Sequence, residues 1–134
     1  MKVDVRHSGD VIIVDLRGGL VAGVGDEMLR EVMNALVAEG WKGILLNLSG
    51  VPRIDSAGIG ELVASVRMAN RLGSRTKLLH VIGRVRDVLE LSQVLPLLDV
   101  HDSEQEALAA FAGDPALGID VGTEEAADGA ASDA

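Results

Sequence analysis

Cysteine is absent from this 134-residue chain, and Trp41 and Phe111 are its only large aromatic residues. Without cysteine, disulfides, thiol catalysis and cysteine-ligated metal sites are excluded. Two aromatic side chains are too few to stack on a series of nucleic-acid bases. The core must therefore be aliphatic, and a chain of this length has room for one hydrophobic core.

Long apolar runs are also missing. No uninterrupted stretch approaches the roughly 18 apolar residues that a membrane-spanning helix needs. The first residues contain no basic segment followed by an apolar one, which is the pattern of a secretory signal peptide. We therefore expect a soluble, cytoplasmic protein without membrane contact.

Basic residues are few, 12 against 21 acidic ones, which gives a net charge of −9. Six of the acidic residues and none of the basic ones lie in residues 114–134. Seven basic and two acidic residues lie between Arg53 and Arg86, whereas residues 87–113 hold six acids and no base. A domain that binds duplex DNA normally has a larger basic excess. We expect no direct contact with nucleic acid.

Hydrophobic periodicity predicts five strands and four helices in the order β-β-α-β-α-β-α-β-α. This order predicts an α/β fold with a mixed, mostly parallel sheet and one antiparallel edge strand. The predicted strands cover residues 3–6, 11–16, 44–48, 77–82 and 97–100, and the predicted helices cover residues 26–39, 56–72, 84–92 and 103–111.

The pattern ends near residue 113, so we expect one domain over residues 1–113. Residues 114–134 are rich in alanine, glycine and acidic residues. Such a composition buries too little apolar surface to fold, and we predict a disordered acidic tail.

The most informative segment is Ile-Asp-Ser-Ala-Gly-Ile-Gly-Glu-Leu, residues 54–62, which joins the third predicted strand to the second helix. Ser56 at this turn could cap the helix, a role that contributes about 1 kcal/mol. A capping box would require Glu or Gln at the position of Ile59. Gly58 and Gly60 each cost about 1 kcal/mol of helix propensity, which indicates a close approach to the backbone.

Two catalytic or ligand-binding interpretations of the turn lack their required residues. A dinucleotide fingerprint would need a third glycine where Val63 stands. A nucleophile elbow would need glycine two residues before the serine, where Ile54 stands. The three histidines are scattered and do not have metal-ligand spacing. We therefore expect no enzymatic activity, no cofactor and no metal.

A phosphoacceptor serine fits the turn best. A helix N-terminus offers free N–H groups and the positive end of the helix dipole, so a phosphate there is compatible with the fold. Phosphorylation of Ser56 would add about −1.5 to −2 charges beside Asp55. A partner that docks over the turn would then meet added bulk and like charge.

The chain resembles the STAS domains of anti-sigma factor antagonists over about residues 3–112. The most specific match is Asp-Ser-Ala-Gly-Ile-Gly at residues 55–60; weaker matches are Gly-Gly-Leu at residues 18–20 and the strand with its following turn at residues 44–51. The resemblance implies binding to an anti-sigma factor that is also a serine kinase, with release of a sigma factor. Phosphorylation of Ser56 would end that complex, and a metal-dependent phosphatase would restore it.

The resemblance also implies a site and a quaternary state. The second helix and the loop of residues 18–25 would form the docking surface of a monomer or weak dimer. Three features depart from the family pattern: Asn47 stands where Asp is frequent, Arg53 replaces an apolar or aromatic residue, and Gly-Ser-Arg at residues 73–75 replaces a Gly-Gly turn. Arg53 could pair with a phosphate on Ser56 or with an acidic residue of the kinase, or it is a solvated loop charge. The residues expected around Ser56 are Asp55, Ala57, Gly58, Gly60, Arg53, Asn47 and Gly19.

Two other functions remain open from the sequence. The chain could be a STAS scaffold that does not switch, in a signalling complex or a lipid-transport ATPase assembly, with Ser56 only a helix cap. An enzyme with Ser56 as its nucleophile is the weaker alternative.

Overall fold

The structure is a computed structural model that describes residues 1–114. Its element order confirms the predicted α/β fold, with one additional 3-10 turn at Leu95–Leu97. The strands are β1 (Lys2–Ser8), β2 (Val11–Arg17), β3 (Gly43–Gly50), β4 (Arg75–Leu79) and β5 (Val100–His101); the helices are α1 (Gly25–Ala38), α2 (Ser56–Arg71), α3 (Gly83–Leu91) and α4 (Glu104–Ala112).

The five strands form one sheet in the order β1-β2-β3-β4-β5. β1 is the antiparallel edge strand, and the other neighbouring strands are parallel. The loops after β2, β3 and β4 therefore leave the sheet at the same, carboxyl edge. This edge positions the turn that contains Ser56.

The two faces of the sheet carry separate cores. Helices α1, α2 and α3 cover one face, where Leu29, Leu62 and Val85 pack with alternate strand residues such as Leu46. Helix α4 covers the other face through Ala107 and Phe111. Gly43 permits this packing, since a Cβ on it would lie 2.9 Å from the Phe111 ring. The core is aliphatic except for that one ring.

Most strand bounds differ from the prediction by one to three residues, and the shifts in β4 and β5 have an identifiable cause. β4 ends at Leu79 instead of residue 82, because His80 adopts φ +59°, which an extended strand cannot accommodate. The last strand was predicted at residues 97–100 and lies at Val100–His101. Pro96 lies in the 3-10 turn before it, since proline cannot donate a backbone hydrogen bond to the sheet.

The prediction for residues 114–134 lies outside the described residues, apart from Asp114. Within the described part, the helical spacing of apolar residues in α2 predicts Val63 in the core, but Val63 is half-buried and lies outside both core clusters. It lines a depression between α1 and α2 instead. Val63 lies at the edge of the buried stripe of α2, and helical spacing alone did not distinguish it from the fully buried residues.

Candidate functional site

The turn after β3 is tied to the loop after β2. Leu20 and Ile54 form an isolated parallel bridge, and both side chains are buried. The Leu20 backbone N–H donates to the Arg53 carbonyl at 3.0 Å, and the Asp55 N–H donates to the Leu20 carbonyl at 3.4 Å. The two loops therefore form one unit at the carboxyl edge of the sheet.

Asp55 is the N-cap of α2. Its Oδ1 accepts a hydrogen bond from the Gly58 N–H and its Oδ2 accepts one from the Ala22 N–H, each at 3.0 Å. The N–H groups of Ala22 and then Gly58 hold the pKa of Asp55 below its usual value, because they stabilise the ionised carboxylate. The alternative in which Ser56 caps the helix is wrong, because the cap lies one residue earlier.

Ser56 is the first residue of α2 and is exposed to solvent. Its hydroxyl makes no side-chain hydrogen bond with any other residue of the described chain, so no histidine or carboxylate there is placed to activate it as a nucleophile. A free hydroxyl at a helix N-terminus can be modified without breaking a contact of the fold. This geometry is compatible with Ser56 as a phosphate acceptor.

Gly58 and Gly60, the two glycines of the turn, differ in whether the fold requires glycine at that position. A Cβ on Gly58 would lie 1.9 Å from the Leu20 carbonyl oxygen, so the fold itself requires glycine there. A Cβ on Gly60 would meet nothing within 4 Å. The close approach that the sequence predicted is thus internal at Gly58. At Gly60 the helix surface is open, and residues 1–114 place no group in that space.

Arg53 lies across Gly19. A Cβ on Gly19 would be 3.2 Å from Nε of Arg53, so glycine leaves room for the arginine side chain. Arg53 is exposed and makes no side-chain hydrogen bond or ion pair within residues 1–114. All three interpretations of Arg53, a phosphate partner, a partner for an acidic residue of the kinase, or a solvated charge, are compatible with this geometry.

Asn47 does not join the turn. Its Nδ2 donates to Oδ1 of Asp15 at 2.7 Å, and its Oδ1 accepts from the Ser49 N–H at 3.1 Å. It shares a face of β3 with Leu45, which belongs to the α4 core. Asn47 therefore lies on the face of the sheet opposite to α2, and its expected place beside Ser56 is wrong.

Asp15, the partner of Asn47, belongs to a network that ties the sheet to α4. Arg6 donates to both oxygens of Asp15 at 2.7 and 2.9 Å and also to Glu104, the first residue of α4. The Arg6 guanidinium holds the pKa of Asp15 below its usual value. Through Asp15 and Arg6, Asn47 is therefore part of the polar network that attaches α4 to the sheet.

Two exposed apolar residues lie in loops at the carboxyl edge: Val24 falls within the loop of residues 18–25 that was expected to dock, whereas Ile82 was not predicted there. Val24, just before α1, and Ile82, just before α3, are each 57% exposed. They belong to the loops on either side of the Ser56 turn. The sequence did not reveal Ile82 as a surface residue, because its apolar run predicted a strand over residues 77–82, whereas β4 ends at Leu79.

Other site types receive no support. Among the described residues there is no group of three or more His, Asp or Glu side chains that could hold a metal ion. No helix in residues 1–114 has the length and apolarity to cross a membrane.

Residues 2–107 match the family model of the STAS domain, and the chain belongs to that family. An anti-sigma F factor antagonist of Paenibacillus polymyxa is 24% identical over 108 residues, which cover 81% of this chain and 92% of that protein.

Two solved structures share the fold. The anti-sigma factor antagonist SpoIIAA in its unphosphorylated form has 21% identity and a TM-score of 0.63, with 84% of this chain and 100% of that chain covered. The Bacillus cell fate determinant SpoIIAA in its phosphorylated form has 21% identity and a TM-score of 0.61, with 82% and 99% covered.

Proposed function

We propose that this STAS domain is an anti-sigma factor antagonist whose binding is switched by phosphorylation of Ser56. The observation that carries the proposal is the exposed Ser56 hydroxyl, which makes no hydrogen bond within the described chain while Asp55 caps the helix. The relative from Paenibacillus polymyxa, named an anti-sigma F factor antagonist, supports the role. The phosphorylated form of SpoIIAA supports the modification.

The switch is electrostatic and steric. The positive end of the α2 dipole tolerates a phosphate, so phosphorylation leaves the fold intact. The same phosphate places about −1.5 to −2 charges next to the ionised Asp55 carboxylate. An anti-sigma factor that covers the turn then meets added bulk and charge, and the complex dissociates.

In this proposal the chemistry belongs to the partners. The anti-sigma factor is also the serine kinase, a metal-dependent phosphatase removes the phosphate, and the domain of residues 1–113 acts as a binding module. Binding of the unphosphorylated form releases a sigma factor in the cytoplasm. Gly60 supports this docking, because its open surface lets a partner approach the helix backbone.

The test uses purified full-length chain and each anti-sigma factor kinase of the source organism. We expect Ser56→Ala to retain binding and lose phosphate incorporation. Ser56→Glu should weaken binding roughly tenfold or more, since like charge is brought against the partner. Ser8→Glu is the matched control, because Ser8 is exposed and lies at the opposite edge of the sheet.

Phosphate incorporation at a residue other than Ser56, in a protein whose Ser56 is intact, would overturn the switch. Unchanged binding by Ser56→Glu would instead favour a scaffold that does not switch. Isothermal titration calorimetry and mass spectrometry of the phosphorylated protein measure the two outcomes.

A further inference from the structure

The outer face of α2 carries two arginines that have no partner among residues 1–114. Arg67 and Arg71 are exposed, and neither makes a side-chain hydrogen bond or ion pair within residues 1–114. Like charges four residues apart weaken a helix. Arg71 lies in the last turn, where the helix dipole favours a cation. Arg67 lies a turn earlier and has no such benefit, so folding does not explain the pair.

The nearest acid on the same helix is already engaged. Glu61 accepts hydrogen bonds from Nε of Arg30 and from Oγ of Ser65, each at 2.9 Å, and its side chain is only 10% exposed. Glu61 and Arg30 therefore neutralise one another. Arg67 and Arg71 are left as the uncompensated charges of a depression of about 520 Å³ between α1 and α2.

The arginines continue the surface that begins at Ser56. Spacings of four, four, three and four residues place Ser56, Gly60, Ala64, Arg67 and Arg71 on one face of the helix. Gly60 and Ala64 make the middle of this face flat, and Val63 and Met68 give it an apolar margin. At a rise of about 1.5 Å per residue, Arg67 lies roughly 16 Å and Arg71 roughly 22 Å from Ser56.

We propose that Arg67 and Arg71 bind an acidic segment of the anti-sigma factor, 16–22 Å from the place where its catalytic site meets Ser56; the inference rests on the proposed function. Guanidinium groups pair with carboxylates through two parallel hydrogen bonds. A nucleic acid is disfavoured, because the net charge of −9 repels a polyanion. A short acidic segment of a protein contacts only the face that carries Arg67 and Arg71, so the net charge of the whole chain opposes its binding less.

The experiment compares Arg67→Glu/Arg71→Glu with Arg84→Glu, which reverses an exposed arginine of α3 without an ion pair in the described chain. Each variant is titrated with the anti-sigma factor that binds wild type and is assayed as its phosphate acceptor. We expect the double variant to raise Kd and KM roughly tenfold or more, with kcat unchanged, because the contact is remote from the reacting hydroxyl. Higher salt should reduce the difference.

Unchanged Kd and KM in the double variant would overturn this inference and leave the Ser56 switch standing. Deletion of residues 115–134 provides a second test. If it increases affinity about tenfold, and only when both arginines are intact, the inference is overturned. The chain's own acidic residues, and not the anti-sigma factor, would then be the group that binds Arg67 and Arg71. A wild-type chain that no anti-sigma factor binds or phosphorylates overturns the proposed function as well. Circular dichroism and thermal unfolding confirm that each variant is folded.

Discussion

At the scale of single residues, Gly58 and Gly60 show how one residue type serves two purposes within the same turn. Gly58 is buried against the Leu20 carbonyl, and any side chain there displaces backbone. Gly60 faces open space on an exposed helix surface. Because glycine weakens a helix interior, its presence at residue 60 favours a role in contact with a partner.

We predict opposite effects for alanine at these two positions. Gly58→Ala should lower the free energy of unfolding by about 1–3 kcal/mol or more, since the added Cβ overlaps the Leu20 carbonyl. Gly60→Ala should raise it by about 0.5–1 kcal/mol and still weaken binding of the anti-sigma factor. Urea unfolding and calorimetry test both changes. Unchanged binding by Gly60→Ala would contradict the partner role.

At the scale of elements, the N-terminus of α2 is held by one carboxylate that bonds to two segments. Asp55 accepts from Gly58 within its own helix and from Ala22 in the loop after β2. The cap therefore also fixes that loop against the helix. This arrangement leaves the next residue, Ser56, outside the hydrogen bonds that stabilise the helix end.

The lowered pKa of Asp55 predicts a pH dependence of stability. A carboxyl whose pKa is lower in the folded state contributes stability above its unfolded pKa of about 3.9, and that stability is lost as the pH falls through the folded value. We expect Asp55→Asn to be less stable than wild type at pH 7, with the two converging at lower pH. Urea unfolding from pH 7 to pH 2.5 measures this.

The control for Asp55→Asn is Asp10→Asn, which removes an exposed carboxylate without a side-chain hydrogen bond in the described residues. Its stability should follow that of wild type more closely at pH 7. A constant difference in stability between Asp55→Asn and wild type over the whole pH series would show that ionisation of the Asp55 carboxyl does not contribute to stability.

At the scale of the molecule, the sheet separates the proposed docking surface on α2 from the attachment of α4. Ser56, Arg67 and Arg71 belong to α2 on one face, while Phe111 packs on the other and lies 5.1 Å below the Lys77 ammonium. Stability changes on the α4 face should therefore leave the docking surface in place.

We predict that Phe111→Ala lowers the free energy of unfolding by about 3–5 kcal/mol, because it empties a fully buried site. Binding of the anti-sigma factor to the folded fraction should change less than twofold. Leu62→Ala, which removes a buried side chain of α2, should lower both stability and binding. If Phe111→Ala does not fold, Phe111→Leu provides the milder cavity. Equal losses of binding in the two variants would contradict the separation of faces.

The sequence by itself determined the element order, the sheet with its antiparallel edge strand, and Ser56 at the start of α2. These features follow from local periodicity, from turn residues and from a short specific motif. Local signals were less accurate at strand ends: the positive φ of His80 and the 3-10 turn at Pro96 shifted two boundaries.

Only the tertiary structure decided which neighbours the site residues have. Asp55 caps α2 through the nearby Gly58 N–H, but only the fold brings the Ala22 N–H beside its second oxygen from a distant loop. Asn47 bonds to Asp15 because strand alternation places it on the other face of the sheet. Gly58 is required by the Leu20 carbonyl, whereas Gly60 is not required by any described contact. Such contacts join residues far apart in the chain, and periodicity and spacing carry no information about them.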